Sequence, residues 1–223
     1  MFDVCQGRCG MKVGTDGVLL GAWARGGRSI LDIGTGTGLI ALMMAQRFAE
    51  ARVTAIDIDV EACAQAEENI QNSSFASRID VEASPLQDFS CTEKFDSVVS
   101  NPPFFVDSLR NPDSRRSVAR HADTLSYRDL FRGVVSLISD DGEFSAVIPA
   151  ECLSRFVAEG CLVGLSMVRR YAVRTTPLKP VRRYLVAFAF RSSPLDSCEV
   201  TLQNHDGSRS EWYDSQTKNF YIK

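Results

Sequence analysis

Short apolar runs alternate with amphipathic segments through the first two thirds of the chain. Ser29 to Ile33 reads as a buried strand that ends in a glycine-rich turn, and Leu39 to Arg47 as the helix that turn opens. Arg52 to Ile58 alternates as a second strand, and Val60 to Asn72, rich in Ala and Glu, predicts helix. Ile79 to Ala83 and Phe95 to Ser100 supply a third and a fourth strand. From Thr124 to Ile138 the apolar residues Leu125, Leu130, Phe131, Val134, Val135 and Ile138 recur at helical spacing. Asp140-Asp141-Gly142 then reads as a turn into a strand from Glu143 to Ile148. This alternation predicts an α/β fold with helices covering a mostly parallel sheet.

The pattern changes near position 150. Ala150 to Cys161 predicts one more helix, followed by strands Ser166 to Arg174 and Arg183 to Phe190. Their linker, Thr175 to Val181, is short and carries two prolines. Strand, short loop and strand predict an antiparallel hairpin closing one edge of the sheet, seven strands in all.

Composition narrows the class. At 223 residues one substantial domain suffices. Apolar residues make up 44% and charged residues 24%, with a formal net charge of −3, so any nucleic-acid binding must rest on a local basic surface. The N-terminus lacks the pattern of a signal peptide, and no apolar run approaches the ~20 residues of a membrane span. The expectation is a soluble, cytoplasmic protein without a membrane partner, with a monomer as the default. Seven scattered cysteines and only two histidines, His121 and His205, argue for reduced thiols and against a metal site, although Cys5 and Cys9 lie close together.

Two motifs carry chemistry. The first is Asp32-Ile33-Gly34-Thr35-Gly36-Thr37-Gly38, after a buried strand and before a helix. Glycines at alternate positions let the backbone turn sharply and approach a ligand, while the helix start aims free N–H groups at the same place. Dinucleotide folds use Gly-x-Gly-x-x-Gly to seat a pyrophosphate. Here an acid precedes the first glycine; it would repel a diphosphate but can accept from the ammonium of a methionine moiety or orient the loop. Asp57, 19 residues after Gly38, is placed to accept from two ribose hydroxyls. The pattern favours S-adenosylmethionine over a nicotinamide cofactor; the bland alternative is a turn that only packs helix on strand.

The second motif is Asn101-Pro102-Pro103-Phe104, 63 residues after Gly38 at the end of the fourth strand. Consecutive prolines hold Asn101 extended and remove two donors. The Asn101 side-chain oxygen and the Pro102 carbonyl can then accept both hydrogens of one NH2 group, which stabilises positive charge as a methyl arrives on nitrogen. Phe104 offers a face on which a base can stack, with Phe105 beside it. The bland alternative is a proline turn with a core aromatic.

These residues resemble the class I S-adenosylmethionine-dependent methyltransferases, and the tetrad resembles their amino-methylating branch. Within it the chain is similar to the bacterial tRNA(Val) adenine-N6 methyltransferases. The sharpest likeness is Met11-Lys12-Val13-Gly14-Thr15-Asp16-Gly17-Val18-Leu19-Leu20-Gly21-Ala22-Trp23; Leu42 to Arg47, Ser100 to Phe105, Arg116 to Arg120 and Asn219 to Lys223 add to it. The resemblance implies a single Rossmann-like class I domain: an extension over 1–28 covering the cofactor site, a core over 29–191 and a tail over 192–223 packed on it. It implies methylation at N6 of the adenosine beside the anticodon. Asp32, Gly34 and Gly36, with Gly38, would hold the methionine side of the cofactor, Asp57 the ribose, and Asn101, Pro102 and Phe104 the target adenine. Lys12 to Asp16 would cover the cofactor, unless Thr15 and Asp16 only cap the helix behind them. Where such enzymes often end the third strand in an acid facing the cofactor's adenine, this chain reads Ala83-Ser84-Pro85-Leu86-Gln87-Asp88, which leaves the place to Ser84, to Asp88 or to nothing.

Two basic groups could hold tRNA. Arg110, Arg115, Arg116 and Arg120 follow the acceptor motif; Arg169, Arg170, Arg174, Lys179, Arg182 and Arg183 cluster with no acid among them, and Tyr171 and Tyr184 add stacking faces. The alternative is a set of solvated or paired arginines. The tetrad chemistry also permits methylation of a protein glutamine amide, and a non-catalytic RNA-binding relative is the reading from outside enzymology.

Overall fold

The computed structural model describes residues 2–7, 13–103 and 125–220. Five strands run parallel: β1 (Ser29–Ile33), β2 (Arg52–Asp57), β3 (Ile79–Ala83), β4 (Phe95–Ser100) and β5 (Ile138–Pro149). Four helices accompany them: α1 (Thr15–Trp23), α2 (Leu39–Arg47), α3 (Val60–Gln71) and α4 (Tyr127–Leu137). Then come α5 (Leu153–Leu162), β6 (Ser166–Arg174), β7 (Val181–Ala189), β8 (Asp196–Thr201) and α6 (Glu211–Thr217). The sheet order is β3-β2-β1-β4-β5-β7-β6-β8.

The central strands read as unbroken apolar runs because helices cover both of their faces. Ile30 and Leu31 are each fully buried but belong to different cores. Ile30 packs with Leu19, Leu42 and Val53; Leu31 packs with Val134 and a cluster of four phenylalanines, Phe131, Phe144, Phe156 and Phe188. Those rings meet at centroid distances of 4.8–6.4 Å, three of the six pairs edge to face, an arrangement that aromatic quadrupoles favour, and three tilted.

The sheet has eight strands rather than seven. β7 is antiparallel to β5 and β6 to β7, as a hairpin requires, but the hairpin does not hold the edge: β8 pairs parallel to β6 outside it. The sequence of β8 hides it, since only Val200 of its six residues is buried. β5 also begins earlier than its pattern suggests. Ile138 already pairs with Phe95, and the register then jumps so that Glu143 faces Ser97. Asp140-Asp141-Gly142 is thus a bulge within the strand, not a turn before it.

Strand order reverses between β1 and β4. The chain leaves β1 toward β2 and leaves β4 toward β5, so their C-terminal ends, Ile33 and Ser100, open a crevice. In open α/β sheets ligands bind at such a switch point.

Candidate active site

A cavity of about 620 Å3 fills that crevice, within the ~300–1,000 Å3 usual for small-molecule sites. The glycine loop forms its floor. Gly34 and Gly36 have φ of 72° and 56°, and a Cβ at either would meet open space. Both line the cavity. Gly38, with φ of 78°, starts α2 and instead lies against Ala66 of α3, 3.3 Å from where its Cβ would stand. The first two glycines let ligand approach the backbone; the third lets two helices approach each other.

Two carboxylates shape this loop. Asp32 is fully buried, and its Oδ2 accepts from the Thr35 hydroxyl at 2.7 Å and the Ala41 N–H at 3.2 Å. Its Oδ1 is buried with no partner among the described residues, and Asp32 is not one of the residues that line the cavity. Burial pushes the carboxyl up to about 7; the bonds from Thr35 and Ala41 offset part of this, and the Asp57 charge adds to it. Asp57 lines the cavity at the end of β2, accepting from Gly36 N–H at 2.9 Å and Asp59 N–H at 3.0 Å. Each of its oxygens keeps a lone pair for a further donor.

A third support lay outside the sequence reading. Asn69, buried on α3, donates to the carbonyls of Thr37 and Cys5 and accepts from the Cys5 N–H, all at 2.8 Å. One amide therefore ties the N-terminal segment to the glycine loop. On an amphipathic helix such an asparagine reads as surface, so no local signal marks it.

The remaining walls come from three places. Ser84 through Asp88 all line the cavity, so both residues offered for the missing third-strand acid stand at the site, joined by Gln87. Ile58, 59% exposed, lies at the rim beyond Asp57. From the N-terminal side Val13, Gly14 and Gly17 line it. Thr15 and Asp16 are not among the lining residues; Gly14 is the N-cap and has no side chain to cap with. Asp16 turns to Arg183 of β7, with Oδ2 2.7 Å from Nε. Lys12 lies outside the described residues.

Asn101 closes the cavity at the end of β4, with Ser100 and Pro103 beside it. The Ser100 hydroxyl donates to the Ile33 carbonyl at 2.9 Å, fastening the two strand ends together. Among the described residues the buried Asn101 Oδ1 has no hydrogen-bond partner, which leaves it able to accept from an arriving donor. Pro102 is buried behind it. Phe104, Phe105, Arg110, Arg115, Arg116 and Arg120 fall outside the described residues.

The second basic group is largely engaged in the fold. Arg169 pairs with buried Glu143 and lies over Trp23, 3.8 Å from the ring centroid. Arg170 donates to Ser197 at 3.0 Å, and Arg174 to Glu199 at 2.5 Å. Tyr171 packs edge-on against Trp23. Among the described residues no three His, Cys, Asp or Glu side chains gather into a metal-binding group, and no helix is long and apolar enough to cross a membrane.

Sheet order, a glycine loop at the switch point and the cavity between the ends of β1 and β4 define a Rossmann-like methyltransferase. The family model Methyltransferase small domain matches residues 13–146. Relatives named tRNA1(Val) (adenine(37)-N6)-methyltransferase align along almost the whole chain. Those from Bacteroides thetaiotaomicron and Trichodesmium erythraeum are 42% and 39% identical, covering 99% and 100% of this chain and 94% and 95% of the relative. The chain belongs to the tRNA1(Val) (adenine(37)-N6)-methyltransferase family. In fold it is similar to a solved structure from Agrobacterium tumefaciens described as a predicted O-methyltransferase. That match has a TM-score of 0.74, 17% identity, and coverage of 94% of this chain and 98% of the other.

Proposed function

We propose that this enzyme methylates N6 of an adenosine in tRNA, the residue that its relatives' names give as position 37 of tRNA1(Val), acting as a monomer in the cytoplasm. S-adenosylmethionine is the methyl donor and supplies an electrophilic methyl group on a sulfonium. Gly34 and Gly36 leave room for its methionine part, and the charge of Asp32, buried beneath the loop rather than lining the cavity, favours an ammonium there. Asp57 accepts from the ribose hydroxyls, and Ser84, Gln87 or Asp88 meets the adenine edge opposite Ile58.

Asn101 carries the reading. An exocyclic amine on a purine is a weak nucleophile because its lone pair is delocalised into the ring. Asn101 Oδ1 and the Pro102 carbonyl accept its two hydrogens, which draws the nitrogen toward a pyramidal geometry and turns its lone pair toward the cavity. As positive charge develops on nitrogen both acceptors bind more strongly, so their contribution is largest in the transition state. Phe104 supplies the stacking face for the extruded base.

The test is incubation with isotopically labelled S-adenosylmethionine and unmodified tRNA or, separately, cell protein. Label in N6-methyladenosine, lost in Asn101→Ala while cofactor binding survives, supports the assignment. Label confined to glutamine in protein would refute it.

A further inference from the structure

Charge is unevenly divided across the sheet. Positions 50–96, which build β2, α3, β3 and the start of β4, hold eleven acids against three bases. Positions 166–191, which build β6 and β7, hold seven bases and no acid. Sheet order sets these groups on opposite flanks of β4, with Asn101 between them. A polyanion with one base at Asn101 is repelled by the first flank and drawn toward the second.

Most cations on the basic flank already have partners: Arg169, Arg170, Arg174 and Arg183 as described, and Arg191 with Asp141 at 2.7 Å. Lys179 and Arg182 differ. Both are exposed, and among the described residues their side chains make no hydrogen bond or ion pair. They stand at the tip of the β6–β7 hairpin, and that tip is braced. The Lys179 N–H donates to Thr176 at 3.1 Å, its carbonyl accepts from Arg174 at 2.6 Å, and the Thr175 carbonyl accepts from Gln203 N–H at 2.9 Å. On this held loop Leu178 is 84% exposed, an arrangement that leaves a large apolar side chain fixed in water.

Topology puts the tip on the rim of the acceptor. Ser100 faces Ala146, Ala146 faces Val186, and Arg183 faces Pro149, the last residue of β5. Two strand spacings of about 4.8 Å and three residues of about 3.3 Å place Arg182 on the order of 15 Å from Asn101. Neighbouring nucleotides of a bound stem-loop span that gap.

We propose that the hairpin tip is an RNA docking element, with Lys179 and Arg182 on phosphates beside the target nucleotide and Leu178 against a ribose or base face. The proposal rests on the tRNA substrate assigned above. It is tested by tRNA affinity, measured by fluorescence anisotropy across a salt series, alongside tRNA KM, kcat and cofactor Kd. Lys179→Ala/Arg182→Ala is expected to weaken tRNA binding and raise its KM at least tenfold, with kcat and cofactor Kd within twofold. The slope of log affinity against log salt should fall by about 1.4 to 1.8, the value for two lost phosphate contacts. Leu178→Ser should weaken binding several-fold and leave that slope unchanged, and Glu67→Gln on the acidic flank should not weaken binding. Unaltered tRNA affinity in the double variant overturns the proposal, as does a parallel loss of cofactor binding, which would mark the tip as structural. Wild-type protein that binds tRNA but leaves it unmethylated would sink the functional assignment, while affinity still decides the docking.

Discussion

Replacing Asp32 by Asn should make the protein more stable at alkaline pH while weakening its grip on cofactor. The carboxyl is fully buried with one oxygen unpartnered among the described residues, and burial raises it from 3.8 to about 7. An acid raised in this way holds its proton more tightly in the fold than in the unfolded chain. Its contribution to stability is therefore complete below about pH 4, declines as pH rises, and is gone above about pH 7. A shift near three units corresponds to ~4 kcal/mol over the whole window, of which roughly 2–3 kcal/mol falls between pH 5 and pH 8. Asparagine has the shape of the protonated acid and can keep its carbonyl oxygen on Thr35 and Ala41, yet it never ionises.

The assay is urea denaturation of wild type and Asp32→Asn without cofactor, at pH 5 and pH 8 and constant ionic strength. Every other titrating group is common to both proteins and cancels. The stability difference should shift by roughly 2–3 kcal/mol toward the variant as pH rises from 5 to 8. A difference that stays constant within about 0.5 kcal/mol would refute the burial argument and mean that Asp32 is ionised throughout. Cofactor affinity is expected to fall at least tenfold in the same variant, because a neutral amide cannot match a carboxylate opposite an ammonium. In wild type near pH 7, cofactor binding should release protons, read by calorimetry in buffers of different ionisation heat.

What the sequence disclosed follows from where each signal is generated. Strands β1 to β4 and the glycine turn were legible because their apolar runs and turn residues are local patterns imposed by burial on both faces. β8 was not, because its pairing is supported by the ladder to β6 and by Glu199 reaching Arg174, partners that no window around position 198 contains. The same holds at the site. Asn101 and Asp57, which line the cavity, stand out in local motifs, whereas Asp16 meets a partner 167 residues away and Asn69 bonds to Cys5 of the N-terminal segment. The arginines of β6 looked available since no acid lies near them in sequence; Glu143 and Glu199 arrive only through the fold. Local pattern thus pointed to the cavity, while the pairing that shapes its walls is a tertiary product.

Further perturbations separate chemistry from support. Asn101→Ala should lower kcat at least a hundredfold, as loss of one transition-state hydrogen bond commonly costs about 3–4 kcal/mol, with cofactor Kd unchanged within twofold; a matching loss of cofactor affinity would reassign Asn101 to binding. Asp16 and Arg183 join α1 to β7 through a half-exposed ion pair, so a double-mutant cycle to Ala should give a coupling of only about 0.5 kcal/mol. Cofactor Kd should nevertheless rise a few-fold, since the first turn of α1 walls the cavity; coupling near zero with unchanged Kd would show the pair to be incidental. Asn69→Ala should be the harsher change. It strands three backbone groups, the Cys5 N–H and the carbonyls of Cys5 and Thr37, each worth about 1–3 kcal/mol when left buried and unpaired. Release of the N-terminal segment lets water reach some of them, so a net loss of about 2–4 kcal/mol is expected. Proteolysis should then begin within the first few residues, and cofactor affinity should fall several-fold because Thr37 loses its anchor. Destabilisation without any change in cofactor affinity would mean that Asn69 secures the N-terminus alone and that the glycine loop holds its shape unaided.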